Sequence, residues 1–93
     1  MALFLSLHQA PGLSPEEIAG YAPDVAKSVH ATFRQLYVNT ATGFIVSLYE
    51  ADSPGAVEQE FERVGFPWDE IHEVHVDLDA AALNAAIAHG SPQ

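Results

Sequence analysis

No cysteine occurs in the 93-residue chain, which excludes disulfides, thiolate metal sites and cysteine nucleophiles. Basic residues are almost as scarce. Lys27, Arg34 and Arg63 stand against thirteen acids, for a formal net charge of -10. With so little positive charge to neutralise phosphates, neither nucleic acid nor an anionic membrane is a suitable partner. The acidic field attracts cations, although the same charge serves solubility without any site. Long apolar runs are missing too, since none approaches the ~20 residues of a membrane span. The opening MALFLSLHQAP carries no basic residue and is too short for a signal peptide. These absences point to a soluble, cytoplasmic protein.

What is present is one domain's length of chain with 48% apolar residues, so a folded core is expected. At this size the core is modest, and an oligomer interface would add to it. Leu3, Leu5 and Leu7 alternate with Phe4, Ser6 and His8, the period of a first strand. Ser14-Pro15-Glu16-Glu17 opens a helix with a capping box and a proline at the first helical position. Ile18, Tyr21 or Ala22, Val25 and Val29 continue it, with a kink or break expected at Pro23. Phe33 to Asn39 reads as a second strand, and Phe44 to Ala51 returns from a loop ending in Gly43. Ser53-Pro54 starts a second helix with an apolar stripe at Val57, Phe61 and Val64, stopped by Gly65 and Pro67. On it, Glu58, Glu60 and Glu62 read as a solvated face. A last strand is expected over Ile71 to Leu78, then a short alanine-rich helix capped by Asp79, with Leu83 and Ile87 as contacts and His89 at its end.

The order β-α-β-β-α-β is the ferredoxin-like, split βαβ plan: an α+β domain over residues 1–78, a four-stranded antiparallel sheet with two helices on one face, and a C-terminal helical extension over 79–93. The phase of the strands places Leu3, Leu5, Leu7, Leu36, Val38, Val46, Leu48, Val74, Val76 and Leu78 under the helices. The open face then carries Phe4, Ser6, His8, Phe33, Gln35, Tyr37, Ile45, Ser47, Tyr49, Ile71, Glu73, His75 and Asp77, and a one-residue slip inverts any strand. With the third strand parallel to the first and the fourth antiparallel to it, His8, Tyr49, Glu73 and His75 meet at one corner. Phe4, Phe33, Ile45 and Ile71 leave that face too apolar for water, which suggests pairing of two copies through it.

Two histidines and a carboxylate suit nickel, zinc or copper. The same groups suit acid–base work on a bound small molecule, and His8 with Glu73 also suits a plain cross-strand pair. Neither H-x-x-x-H nor H-E-x-x-H occurs, and no catalytic motif marks an enzyme. His72 falls on the helix side in this phase. His30 and His89 stand at helix ends, where capping and surface metal capture are the two readings.

The string LYEADSPGAVEQEFERVGFPWDEIHEV resembles the signature of a small bacterial family of ferredoxin-like domains long classed as of unknown function. The matching features are Glu50-Ala51, Ser53-Pro54, Gly65-Phe66-Pro67 and Asp69-Glu70-Ile71-His72-Glu73-Val74, with Gly12-Leu13-Ser14-Pro15-Glu16-Glu17 as the first loop and helix. The resemblance covers about residues 3 to 78 and implies nickel binding by a homodimer. It aligns His8 with a family histidine at the end of the first strand, while Ser6 departs from the aspartate that some relatives have two residues earlier. A shallow surface site would instead favour His30, His72 and His75 with nearby acids.

The expectation is therefore a homodimer, joined through the open sheet face, that binds a divalent metal through His8, Glu73, His75, His30 and His72. The alternative is a small-molecule-binding or isomerase- or oxygenase-like dimeric α+β barrel domain with a pocket on that open face.

Overall fold

The computed structural model describes the backbone of residues 1–90 and the side chains of residues 1–87. Its elements run β1 (Ala2–Gln9), α1 (Pro15–Lys27), β2 (Thr32–Asn39), β3 (Phe44–Ala51), α2 (Pro54–Val64), β4 (Glu70–Val74) and α3 (Ala80–Gly90). The four strands form one sheet in the order β2-β3-β1-β4, antiparallel at every junction. The α+β, ferredoxin-like architecture expected from the sequence is thus the one observed.

Local chemistry sets the element ends. The Ser14 hydroxyl accepts from the Glu17 N–H at 3.1 Å, and the Glu17 carboxylate accepts from the Ser14 N–H at 3.0 Å, closing the capping box of α1. Ser53 caps α2 through the Ala56 N–H, and Gly65 ends that helix with φ 75°. Gly43 is required at its turn for two reasons. Its φ is 79°, and a Cβ there would stand 2.5 Å from the Pro11 nitrogen. Asp79 caps α3, accepting from the Ala82 N–H at 2.7 Å. Helix α1 runs through Pro23 without interruption, rather than splitting there.

The two faces of the sheet are the reverse of the expected phase in β1 and β3. Phe4, Ser6 and His8 are buried under the helices with Ile45, Ser47, Tyr49 and Ala51. Phe4, Tyr49, Ala51, Val57 and Phe61 make the core, with Trp68 and Ile71 packed against it. Leu3, Leu5, Leu7, Val46 and Leu48 therefore face outward. Both sides of β1 and β3 are apolar enough for either assignment, so alternation did not discriminate. The helices select the side whose aromatic groups interlock with Phe61. Its ring meets Tyr49 at 5.3 Å, edge to face, and His8 at 4.8 Å.

In β2 a bulge between Phe33 and Gln35 brings Phe33 to the covered side alongside Leu36 and Val38. Strand β4 stops at Val74, four residues short of the expected end, so His75, Val76, Asp77 and Leu78 lie beyond the sheet. Its register puts Ile71 opposite Ser6 and Glu73 opposite Phe4, on the covered side. His72, opposite Leu5, is on the open face and not on the helix side.

Glu60 departs from the solvated face expected of it. It is fully buried and accepts from the His30 N–H at 2.7 Å and the Val29 N–H at 3.4 Å, while pairing with Arg63. Helix α3 is different in kind. Leu83 and Ile87, the expected contacts, are 48% and 60% exposed, and none of Ala80 to Ile87 is buried. The His89 side chain lies outside the described residues. Among the described residues no helix is long and apolar enough to cross a membrane.

Candidate functional site

Two places in the fold gather chemistry: the end of β1 inside the core, and the exposed edge strand β4. At the first, His8 is fully buried. Its Nδ1 lies 2.7 Å from the Pro67 carbonyl and its Nε2 lies 2.9 Å from Ser47 Oγ. A carbonyl can only accept, so Nδ1 carries the proton and Nε2 offers its lone pair to the Ser47 hydroxyl. Burial lowers the affinity of this imidazole for a second proton; the Pro67 bond and the Asp69 carboxylate offset that only in part. His8 is consequently a neutral, fixed ring, held between Phe61 and Phe66 with centroids 4.8 Å from each. The Ser6 hydroxyl, opposite Ser47 across the strand pair, is buried with no hydrogen-bond partner among the described residues.

The neighbourhood of Tyr49 is shaped by the same burial. Desolvation, and then the nearby Glu60 carboxylate, push its phenol up to about 12. For Glu60 itself, burial alone would raise the carboxyl. The Arg63 guanidinium and the His30 and Val29 N–H groups outweigh that and hold it below the ordinary carboxylate range.

At the second place, His72 Nε2 stands 2.7 Å from a Glu70 carboxylate oxygen, and His75 Nε2 stands 3.7 Å from one of Glu73. Glu70 and His72 share the open face of β4, since their register partners are Leu7 and Leu5. Glu73 lies on the other side of that strand. Each pair is exposed and supplies one imidazole and one carboxylate, a donor set that suits nickel. Among the described residues no group of three or more His, Asp or Glu side chains forms a metal cage.

The expected corner of His8, Tyr49, Glu73 and His75 does not form. Strand β3 runs antiparallel to β1, so Tyr49 pairs with Phe4 and His8 pairs with Ile45. Glu73 also sits opposite Phe4, four residues along β1 from His8, and His75 is past the end of the strand. His30 stands in the loop after α1, where its N–H is tied to Glu60. The sequence reading missed Ser47 and Glu60. A signal for Glu60 existed: position 60 falls on the buried stripe of Val57, Phe61 and Val64, three residues before one of the chain's few cations. Ser47 had a weaker one, as a small polar residue between Ile45 and Tyr49 at alternate positions.

The family described as "Nickel responsive protein SCO4226-like" matches residues 4–74. Among solved structures, the chain is similar to SCO4226 from Streptomyces coelicolor A3(2), with 30% identity and a TM-score of 0.73 over 83% of this chain and 100% of that one. No curated protein matches. Helix α3 begins after the last residue of the family match.

Proposed function

This chain belongs to the SCO4226-like nickel-responsive family, and from that membership we propose that it is a homodimer, paired through the open sheet face, that binds nickel with histidine and carboxylate ligands. The observation that carries the reading is the Glu70–His72 pair at the edge of an apolar face that none of the described residues covers. Leu3, Leu5, Leu7, Val46, Leu48 and Val74 are each only partly buried there, the kind of contiguous apolar surface that marks an interface. A two-fold pairing presents the same residues twice. Each copy then contributes an imidazole and a carboxylate, and two copies supply the four ligands that one cannot. Zinc and copper suit such a set as well, and the net charge of -10 favours cation capture in general.

Glu73 with His75, and His30, are the further surface donors for the metal. His8 contributes only if its bonds to Ser47 and Pro67 open. Titration of the untagged protein with nickel by calorimetry, together with its mass in solution by light scattering, tests the reading. Saturable binding by a dimer, abolished by His72→Ala and weakened by Glu70→Gln, is expected. A monomer with no saturable heat below millimolar nickel would sink it. Loss of binding in His30→Ala alone would move the site away from β4.

A further inference from the structure

Between α1 and the covered face of the sheet lies a cavity of about 330 Å³. Helix α2 fills its half of that face with Val57 and Phe61, both fully buried. Helix α1 does not, and none of its residues is buried. Ile18, Tyr21 and Val25 reach toward Val38 and Ile45 without closing the space between them. Protein interiors pack to crystal density, and a void lined by carbon forfeits those contacts unless something occupies it. The volume is that of a small-ligand pocket.

The chemistry of the lining narrows the occupant. Among the described residues no Lys, Arg, Asp or Glu lines the cavity, so an ion entering it would be buried without a partner. Besides the phenols of Tyr21 and Tyr49, the polar feature of the lining is the His8–Ser47 pair. With the Ser47 hydroxyl proton aimed at His8 Nε2, Ser47 Oγ keeps its acceptor lone pairs. Aromatic rings surround this point: Tyr21 and Phe66 meet at 5.1 Å, and Phe33 and Tyr49 at 5.6 Å, both near edge to face. Such rings favour another ring among them.

We propose that this cavity is a binding site for a small, neutral aromatic molecule bearing one hydroxyl group, which donates to Ser47 Oγ while the ring fills the space under α1. Ser47 and His8 stand as a nucleophile and base would, yet the pair serves binding. Ser47 belongs to a central strand laddered on both sides to β1 and β2, and amides engaged in those ladders are not free to hold an oxyanion. The proposal is independent of the metal and of the dimer.

The test uses 2-naphthol, naphthalene and 2-naphthoate as probes, titrated into the metal-free protein in a chelator and followed by amide chemical shifts. Saturable shifts at Val25, Val38 and Ile45 are expected with 2-naphthol. Naphthalene should bind about tenfold more weakly, the worth of one hydrogen bond, and the carboxylate not at all. Ser47→Ala should erase the preference for naphthol over naphthalene while retaining naphthalene. Ala22→Phe, which projects a ring into the cavity, should block both. If that variant does not fold, the map of shifts on the unaltered protein decides. Shifts that never saturate, or that fall on the open face, overturn the proposal, as does an equal affinity for naphthol and naphthalene or a ratio unchanged by Ser47→Ala.

Discussion

The two faces of this one sheet obey different rules. On the covered face the larger buried polar groups are fixed: Ser47 serves His8, His8 serves Pro67, and Glu60 is answered by Arg63 and two backbone amides, with the small Ser6 hydroxyl left without a partner among the described residues. On the open face aliphatic residues dominate, Tyr37 and Phe44 stand exposed beside them, and the acid and imidazole of Glu70 and His72 sit at the edge, in solvent. A buried polar group must find its partner within the fold, whereas an exposed one is free to find it elsewhere. The covered face therefore specifies the monomer, and the open face carries the residues proposed for association and metal capture.

The sharpest break of that comparison is a pair of truncations. Phe61→Ala removes the ring that His8, Tyr49 and Trp68 pack against and should cost roughly 3–5 kcal/mol in urea unfolding. Leu5→Ala on the open face should cost about 1 kcal/mol in the isolated chain, with any larger loss appearing as a dependence on protein concentration. Equal costs at equal concentration would mean that the faces do not differ in this way.

A smaller effect is expected at Glu60. Glu60→Gln keeps the shape but removes the charge that holds Arg63 and the loop at His30, for a loss of about 2 kcal/mol measured the same way. No measurable loss would place this residue on the solvated face that its neighbours Glu58 and Glu62 occupy.

The smallest effect is one of pH. Unfolded His8 takes up its second proton near 6.5, and folded His8 only at lower pH, because burial disfavours the imidazolium. The unfolded chain thus binds more protons in the window below 6.5, and stability falls as the pH drops through it. Glu60, whose carboxyl is held below its ordinary 4.5, adds a further loss only below that value. Melting temperatures recorded from about pH 7 down to about pH 5 should decline for the native chain and stay flatter for His8→Gln, which cannot titrate. Parallel curves would remove His8 from the account.

How far the sequence was legible differs element by element. Capping at Ser14, Ser53 and Asp79, the stop at Gly65 and the turn at Gly43 were readable because each depends on a few adjacent residues. Element order followed from them, but the direction of pairing did not, since β3 runs antiparallel to β1 and not parallel to it as expected. The faces of β1 and β3 were not readable, because both alternations are apolar and no local rule says which side the helices will cover. The bulge after Phe33 and the end of β4 at Val74 depend on neighbouring strands in the same way.

The sequence by itself determined an acidic, cysteine-free α+β domain, its ferredoxin-like order and the family resemblance carried by the run from Glu50 to Val74. The tertiary structure decided where the chemistry sits. It drew His8 into the core beside Ser47, separated it from Glu73 and His75, and turned His72 to the open face next to Glu70. The physical reason is that capping and turn signals are local, while the side of a strand, the burial of a carboxylate and the cavity under α1 arise from contacts between distant residues. His8 and Pro67, 59 residues apart in the chain, meet only once the sheet has formed.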